Sequence, residues 1–233
     1  MKRLAVPAEV DAGAVGAVGM DVGVLQRDPQ AGAPDVADLA ARFVLVALFT
    51  LLTVRIAGDF LETGRLTGLL LLASETLVVV LTVLRRSSSI VDRSPRARVL
   101  TTLSIMGPFM VRPADAAALL PEAATVLLSG VGLTVVIGGK LSLGRSFGLM
   151  PANRGIVSTG LYRVVRHPIY LGYLITHVGF FAANPTTWNA VILIAADLAL
   201  MWRAVCEEQT LAQDPAYRMY SQGVRWRVLP GIF

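Results

Sequence analysis

Between Lys140 and Gly172 the chain reads KLSLGRSFGLMPANRGIVSTGLYRVVRHPIYLG, a polar, basic and glycine-rich run that leads into an apolar arm. A second polar stretch carries Arg203, Glu207, Glu208, Tyr217, Tyr220, Arg225 and Arg227. Two apolar arms, Tyr170 to Ala183 and Ala190 to Val205, lie between these stretches. They are joined by NPTTWN at 184–189, where Pro and Asn interrupt helix and predict a turn. Folding that hairpin back brings the two polar stretches together at its base. Arg203 and Glu207 are one helical turn apart, so a guanidinium and a carboxylate share a face there. Two acids, Glu75 and Asp197, fall inside apolar runs. An ionisable residue at such depth is a functional candidate, the alternative being a buried hydrogen bond or a pair with a nearby arginine. His167 precedes Pro168, which suits the first position of a helix. His177 lies on the apolar arm and reads as a packed side chain. Cys206 is the only cysteine, which excludes an intramolecular disulfide and cysteine-built zinc sites. With only two histidines, no metal site is expected.

The elements that must position these residues are apolar. Of 233 residues, 55% are hydrophobic and 16% charged, with mean hydropathy +0.64. Soluble domains carry roughly a quarter charged residues, so the composition indicates a membrane protein and excludes disorder for the bulk of the chain. Crossing a bilayer takes about 20 apolar residues. Leu39 to Ala57, Leu66 to Leu84 and Ala123 to Leu141 qualify. Val99 to Val111 is short and contains Gly107-Pro108, and the first hairpin arm is also short for a full crossing. The expected fold is an all-α integral membrane protein, a multi-spanning bundle of about five to six segments with a C-terminal helical hairpin. Arginines orient it. Arg85, Arg86, Arg93, Arg96 and Arg98 mark one cytoplasmic connection; Lys140, Arg145, Arg154, Arg163 and Arg166 mark another; Arg218, Arg225 and Arg227 place the tail inside. Six segments with both termini inside satisfy all three. The net charge of +5 is then a topology signal, with no nucleic acid as partner. Residues 1–38 are a glycine-broken mixture punctuated by Pro7, Pro29 and Pro34, expected to be a flexible arm. Residues 39–143 form the transmembrane part, and 144–233 a cytoplasm-facing C-terminal module.

GLYRVVRHPIYLGY at 160–173, NP at 184–185, RAVCEEQTL at 203–211 and YRMYSQGVRWRVLP at 217–230 resemble, in order and spacing, the motifs of the isoprenylcysteine carboxyl methyltransferase family. The resemblance covers the C-terminal module; the N-terminal half is similar only as hydrophobic spans. It implies S-adenosylmethionine as cofactor at the cytoplasmic mouth of the helices. Carried over by position, the cofactor contacts are Ile156, Val157, Tyr162, His167, Pro168, Ile169, Tyr170 and Glu207. Arg203 would face the methyl acceptor, with either Arg225 or Arg227 near it. The chemistry of the residues agrees. Glu207 suits the cationic part of the cofactor, Tyr162 and Tyr170 suit its adenine or sulfonium, and backbone amides of the glycine-rich run suit its carboxylate. A carboxylate acceptor is ionised at neutral pH and needs no general base.

The resemblance implies a lipophilic or prenylated acceptor that enters from the bilayer, in an inner or plasma membrane. Three other functions fit part of the pattern. Phospholipid N-methyltransferases share similar hairpin and Glu-Glu motifs and methylate a lipid amine. Membrane sterol and enone reductases carry a similar Arg-His-Pro-x-Tyr-x-Gly stretch and use NADPH. A non-enzymatic scaffold or transporter is disfavoured, because the polar cluster lies at one face and transporters bind near the midplane. The arginine-rich connections alone are also what a headgroup-binding patch looks like.

Overall fold

The computed structural model describes residues 36–63, 66–86, 88, 90–112 and 116–233. The arm expected over 1–38 therefore lies, up to residue 35, outside the described residues. The described residues form seven α-helices and no strand: α1 (Val36–Thr63), α2 (Leu66–Leu84), α3 (Pro95–Met106), α4 (Glu122–Leu143), α5 (Pro168–Ala183), α6 (Thr187–Leu211) and α7 (Pro215–Gly223). α4 and α6 are long and apolar enough to cross a membrane by length and composition; α5 and the Leu70–Leu84 part of α2 are shorter apolar helices.

Local chemistry sets the ends of these helices. Ser94 caps α3 through its hydroxyl, which accepts from the Ala97 amide at 3.1 Å, with Pro95 at the first position. Thr186 caps α6 in the same way, accepting from the Asn189 amide at 3.2 Å. That cap starts α6 at Thr187, so the turn is shorter than the expected 184–189. Asp214 caps α7, accepting from the Ala216 amide at 2.8 Å. α7 was not foreseen, since it is only nine residues long and polar on average.

α5 packs along α4 with almost no space between the backbones. A Cβ added at Gly172 would lie 2.7 Å from the Gly132 carbonyl oxygen and 2.8 Å from the Val136 amide nitrogen; one at Gly139 would meet Ile169 at 2.7 Å. Small residues facing each other permit this approach. α6 packs instead on α3, where a Cβ at Gly107 would meet the Ala196 side chain at 2.7 Å. The two hairpin arms thus lie mainly against different neighbours, and the space left between them matters below. Gly172→Ala has no flexible side chain to displace. It is expected to destabilise the protein by about 1–3 kcal/mol, whereas Gly58→Ala, with nothing within 4 Å, should be neutral. Thermal unfolding of the two variants checks this, and equal midpoints would refute the close α4–α5 contact.

The arginine-rich connections gather at one end of the bundle. The Arg86 amide donates to Arg145 O at 2.8 Å, Asp92 N to Pro151 O at 3.0 Å, and Val91 and Ala152 form an isolated antiparallel bridge. The tail joins them, with Arg166 N donating to Trp226 O at 2.9 Å and His167 N to Arg227 O at 2.8 Å. At the opposite end, the fully buried Asn189 donates to Arg112 O at 2.8 Å and to Asn184 O at 2.9 Å, closing the turn. One residue departs from the expected loop. Lys140 lies in the last turn of α4, fully buried, with Nζ donating to the Ser74 hydroxyl at 2.7 Å and the Ser74 carbonyl at 3.1 Å. Its place is in the bundle rather than in the basic connection.

Candidate active site

A cavity of about 540 Å³ opens between the hairpin arms. At the arginine-rich end, here called its mouth, it is lined by Arg154, Arg166, Tyr217 and Tyr220, and its body runs among apolar side chains of α1, α2, α3, α4 and α6, including Phe49, Val78, Ile105, Leu133 and Leu193. Ligand sites have volumes of about 300–1,000 Å³, mostly apolar with a few convergent polar groups. Ile156, Val157, Tyr162, His167, Ile169, Tyr170, Arg203 and Glu207 all line it. Pro168 does not; it is buried at the first position of α5, where its ring fixes the entry into the helix. Arg225 and Arg227 do not line it either. Arg225 lies over the Trp226 ring and Arg227 turns to Glu208.

The two adjacent glutamates do different work. Successive helix residues differ by about 100° in direction. Glu207 faces the cavity and accepts from the Tyr170 hydroxyl at 2.6 Å. Glu208 turns to the tail, where it meets Arg166 Nε at 3.3 Å, His167 Nε2 at 3.3 Å and Arg227 Nε at 2.9 Å. The His167 ring stacks on Tyr170, centroids 5.1 Å apart and 12° from parallel. The Arg203 guanidinium carbon lies 5.4 Å from the same ring centroid. Cation, aromatic ring and imidazole thus form one layer along the wall.

Arg203 is 6% exposed, so its charge is held away from water. Nη2 donates to the Leu149 carbonyl and Nη1 to the Ser104 hydroxyl at 3.4 Å, while Nε has no hydrogen-bond partner among the described residues. No ion pair neutralises it among those residues. Ser104 lies on α3 and Leu149 on the glycine-rich run, so three elements aim this side chain.

Three residues beyond the sequence expectations complete the mouth. Tyr217 and Tyr220 of α7 line the cavity, as does Arg154. Tyr220 donates to the Tyr162 carbonyl at 2.7 Å and so fastens α7 over the mouth. The Tyr217 hydroxyl is buried and has no hydrogen-bond partner among the described residues. Burial raises the Tyr217 and Tyr220 phenols, Tyr217 further through Glu208; burial and then Glu207 raise Tyr162. All three are neutral hydroxyls at physiological pH. Arg154 packs against Gly148, where even a Cβ would strike the guanidinium carbon at 2.6 Å. The Tyr-x-x-Tyr pair was visible in the sequence as part of a motif and Arg154 only as part of a basic connection; their convergence on one wall was not visible, because it depends on how 147–158 and α7 fold over the helix ends.

The donor set suits S-adenosylmethionine. Glu207 offers a carboxylate for its cationic part, Tyr162, His167 and Tyr170 offer rings, and the partnerless Tyr217 hydroxyl offers a donor. Residues 121–217, from the start of α4 into α7, match the family model described as phospholipid methyltransferase. No curated protein matches the chain. The match indicates a methyltransferase of a membrane-associated kind, from a family related to the isoprenylcysteine one of the motif resemblance, which is not itself shown.

Proposed function

We propose that this chain is a membrane-embedded, S-adenosylmethionine-dependent methyltransferase that esterifies the carboxylate of a lipophilic, isoprenylcysteine-like acceptor. The observation that carries the acceptor is Arg203: a buried guanidinium, free of any ion pair among the described residues, on the wall of a cavity that continues into apolar side chains. An uncompensated buried cation is costly, and an anionic ligand would relieve it. Guanidinium matches a carboxylate through parallel hydrogen bonds.

Ile156, Val157, Tyr162, His167, Ile169, Tyr170 and Glu207 hold the cofactor in this reading, with Tyr217 as a further donor. Bound there, it would supply an electrophilic methyl on a sulfonium that leaves as a neutral thioether, and an ionised carboxylate needs no general base to accept it. Arg203 orients that carboxylate. Tyr170, between Arg203 and Glu207, keeps the acceptor side and the cofactor side at a fixed separation. Glu208 with Arg166, His167 and Arg227 holds the tail over the mouth and limits water. The acceptor's chain lies in the apolar body of the cavity. Membrane placement is supported by the two long apolar helices and by exposed Phe43, Leu51, Leu127, Val178, Val191 and Leu198 on their outer surfaces and those of α1 and α5. A cytoplasmic site is supported by the arginine-rich connections that surround the mouth.

The description of the matching family favours a second reading, transfer to a phospholipid amine. An ammonium next to the Arg203 guanidinium would be repelled, and an amine must first lose a proton. Methyl transfer to a farnesylated cysteine analogue and to phosphatidylethanolamine separates the two. Turnover of the amine alone would overturn the carboxylate reading. Glu207→Ala is expected to weaken S-adenosylmethionine binding by about 1–3 kcal/mol, the usual cost of losing a charged hydrogen-bond partner. Calorimetric titration checks this, and an unchanged affinity would remove Glu207 from the cofactor site.

A further inference from the structure

The cavity has a second polar region away from its mouth. Glu75, Tyr173, Thr176 and His177 line it there, among apolar neighbours. His177 Nδ1 lies 2.6 Å from Asp197 Oδ1. Nδ1 is engaged there, and Nε2 is the ring nitrogen left open to a ligand. Nε2 has no hydrogen-bond partner among the described residues. Glu75 takes a hydrogen bond from the Ser74 hydroxyl at 3.3 Å and has Lys140 Nζ at 3.9 Å. Lys140 Nζ lies 5.8 Å from the Tyr173 ring centroid, and the Tyr173 ring stacks on His177 at 6.4 Å. The two pairs are therefore one layer, Glu75–Lys140–Tyr173–His177–Asp197, drawn from α2, α4, α5 and α6. Each pair contributes a residue, Glu75 or His177, to the cavity wall.

Helix rise gives the separation. Tyr170 to His177 on α5 is about 10 Å, and Arg203 to Asp197 on α6 is about 9 Å. The His177–Asp197 end of this layer is too far from Arg203 and Glu207 to serve the methyl transfer itself, and Tyr173, one turn from Tyr170, lies between the two regions. Resting on the methyltransferase reading above, we infer that it is an acceptor-recognition subsite for a hydroxyl carried on the acceptor's chain, about 10 Å from the methylated group. Charge selects that class. A second carboxylate would meet Glu75 and Asp197. An ammonium would find both carboxylates already partnered, Glu75 by Lys140 and Asp197 by His177, and would lie beside the Lys140 ammonium. A neutral hydroxyl, donor and acceptor at once, can bond His177 Nε2 in either role or donate to Glu75, and it brings no charge into an apolar wall. Where a site is built to bond a hydroxyl, an acceptor lacking it leaves these groups unpaired, and that is a source of specificity.

The test compares a long-chain fatty acid bearing one mid-chain hydroxyl with its unsubstituted parent, both by binding to the purified protein and by methyl-ester formation. The hydroxylated acid is expected to bind about tenfold more tightly. His177→Phe should bring its affinity down to that of the parent. Glu75→Gln, which keeps the shape of the side chain, should narrow the difference and serves if His177→Phe does not fold. Equal binding of the two acids by the wild-type protein, binding of neither, or an undiminished preference in both folded variants overturns the subsite. Preferential binding without ester formation leaves the subsite in place and counts against the carboxylate methyltransferase reading. Ester formation from both acids without preference does the reverse.

Discussion

Arg203→Lys is expected to lower kcat for a carboxylate acceptor by about 100-fold while S-adenosylmethionine binding is retained. Arg203 is aimed by the Leu149 carbonyl, the Ser104 hydroxyl and the Tyr170 ring. One ammonium on a flexible stem cannot reproduce these contacts and still present two parallel donors to a carboxylate. A misplacement of about 1 Å at the reacting centre is enough for a loss of that size. Because the same hydrogen bonds position the acceptor for attack, turnover should fall more than acceptor affinity. The competing view is that Arg203 only ties α6 to α3 and the glycine-rich run. It predicts reduced thermal stability with turnover falling in proportion to folded protein. Single-turnover methyl transfer to a farnesylated cysteine analogue, with calorimetric cofactor binding as the control for folding, separates the two. Near-wild-type turnover by Arg203→Lys would leave the carboxylate assignment without support.

Much of this site was legible as type and order, much less as geometry. The positions expected for the cofactor, Pro168 apart, line one cavity because they belong to contiguous motifs, 156–170 and the α6 turn at Arg203–Glu207, and a contiguous motif carries its own spacing. The six apolar runs each correspond to a helix for a similar reason: apolar length is a local property. The tail was ambiguous in the sequence, where Arg225 and Arg227 suit the same motif. Arg227 is directed by Glu208, a neighbour reached only after α7 and the turn at 230–233 fold back, and Arg225 lies over Trp226. The polar layer inside the bundle was the least legible. Glu75, Lys140, His177 and Asp197 come from four helices, and no local pattern announces that they meet. Lys140 was read with a basic loop because it stands next to one. In the structure, Ser74 and Glu75 on α2 compensate its burial, and that compensation is a tertiary fact.

The adjacent glutamates should give opposite results when each is removed. Glu208→Ala is expected to cost about 3 kcal/mol of stability, which for a chain of this size lowers Tm by about 6–12 °C. Glu208 has a side chain only 10% exposed and receives Arg166, itself 12% exposed, and His167. Removing it strands a guanidinium in a place water hardly reaches. The Arg227 contact adds less, because that side chain is 38% exposed and solvent screens it. The loss is also local in kind. Arg166, His167 and Arg227 are the residues through which the tail meets the start of α5, so the tail from Arg218 onward should become open to proteolysis before the bundle unfolds. Glu207→Ala removes one partner of the Tyr170 hydroxyl in an open cavity and should leave Tm almost unchanged while cofactor affinity falls. Glu208→Gln keeps an acceptor but loses the charge and should lie between wild type and Glu208→Ala. Thermal unfolding and limited proteolysis of the three variants make the comparison. If Glu208→Ala melts with the wild-type protein and its tail stays protected, the ion cluster does not hold the tail, and closure of the mouth rests on Tyr220 and the backbone bonds to 226–227.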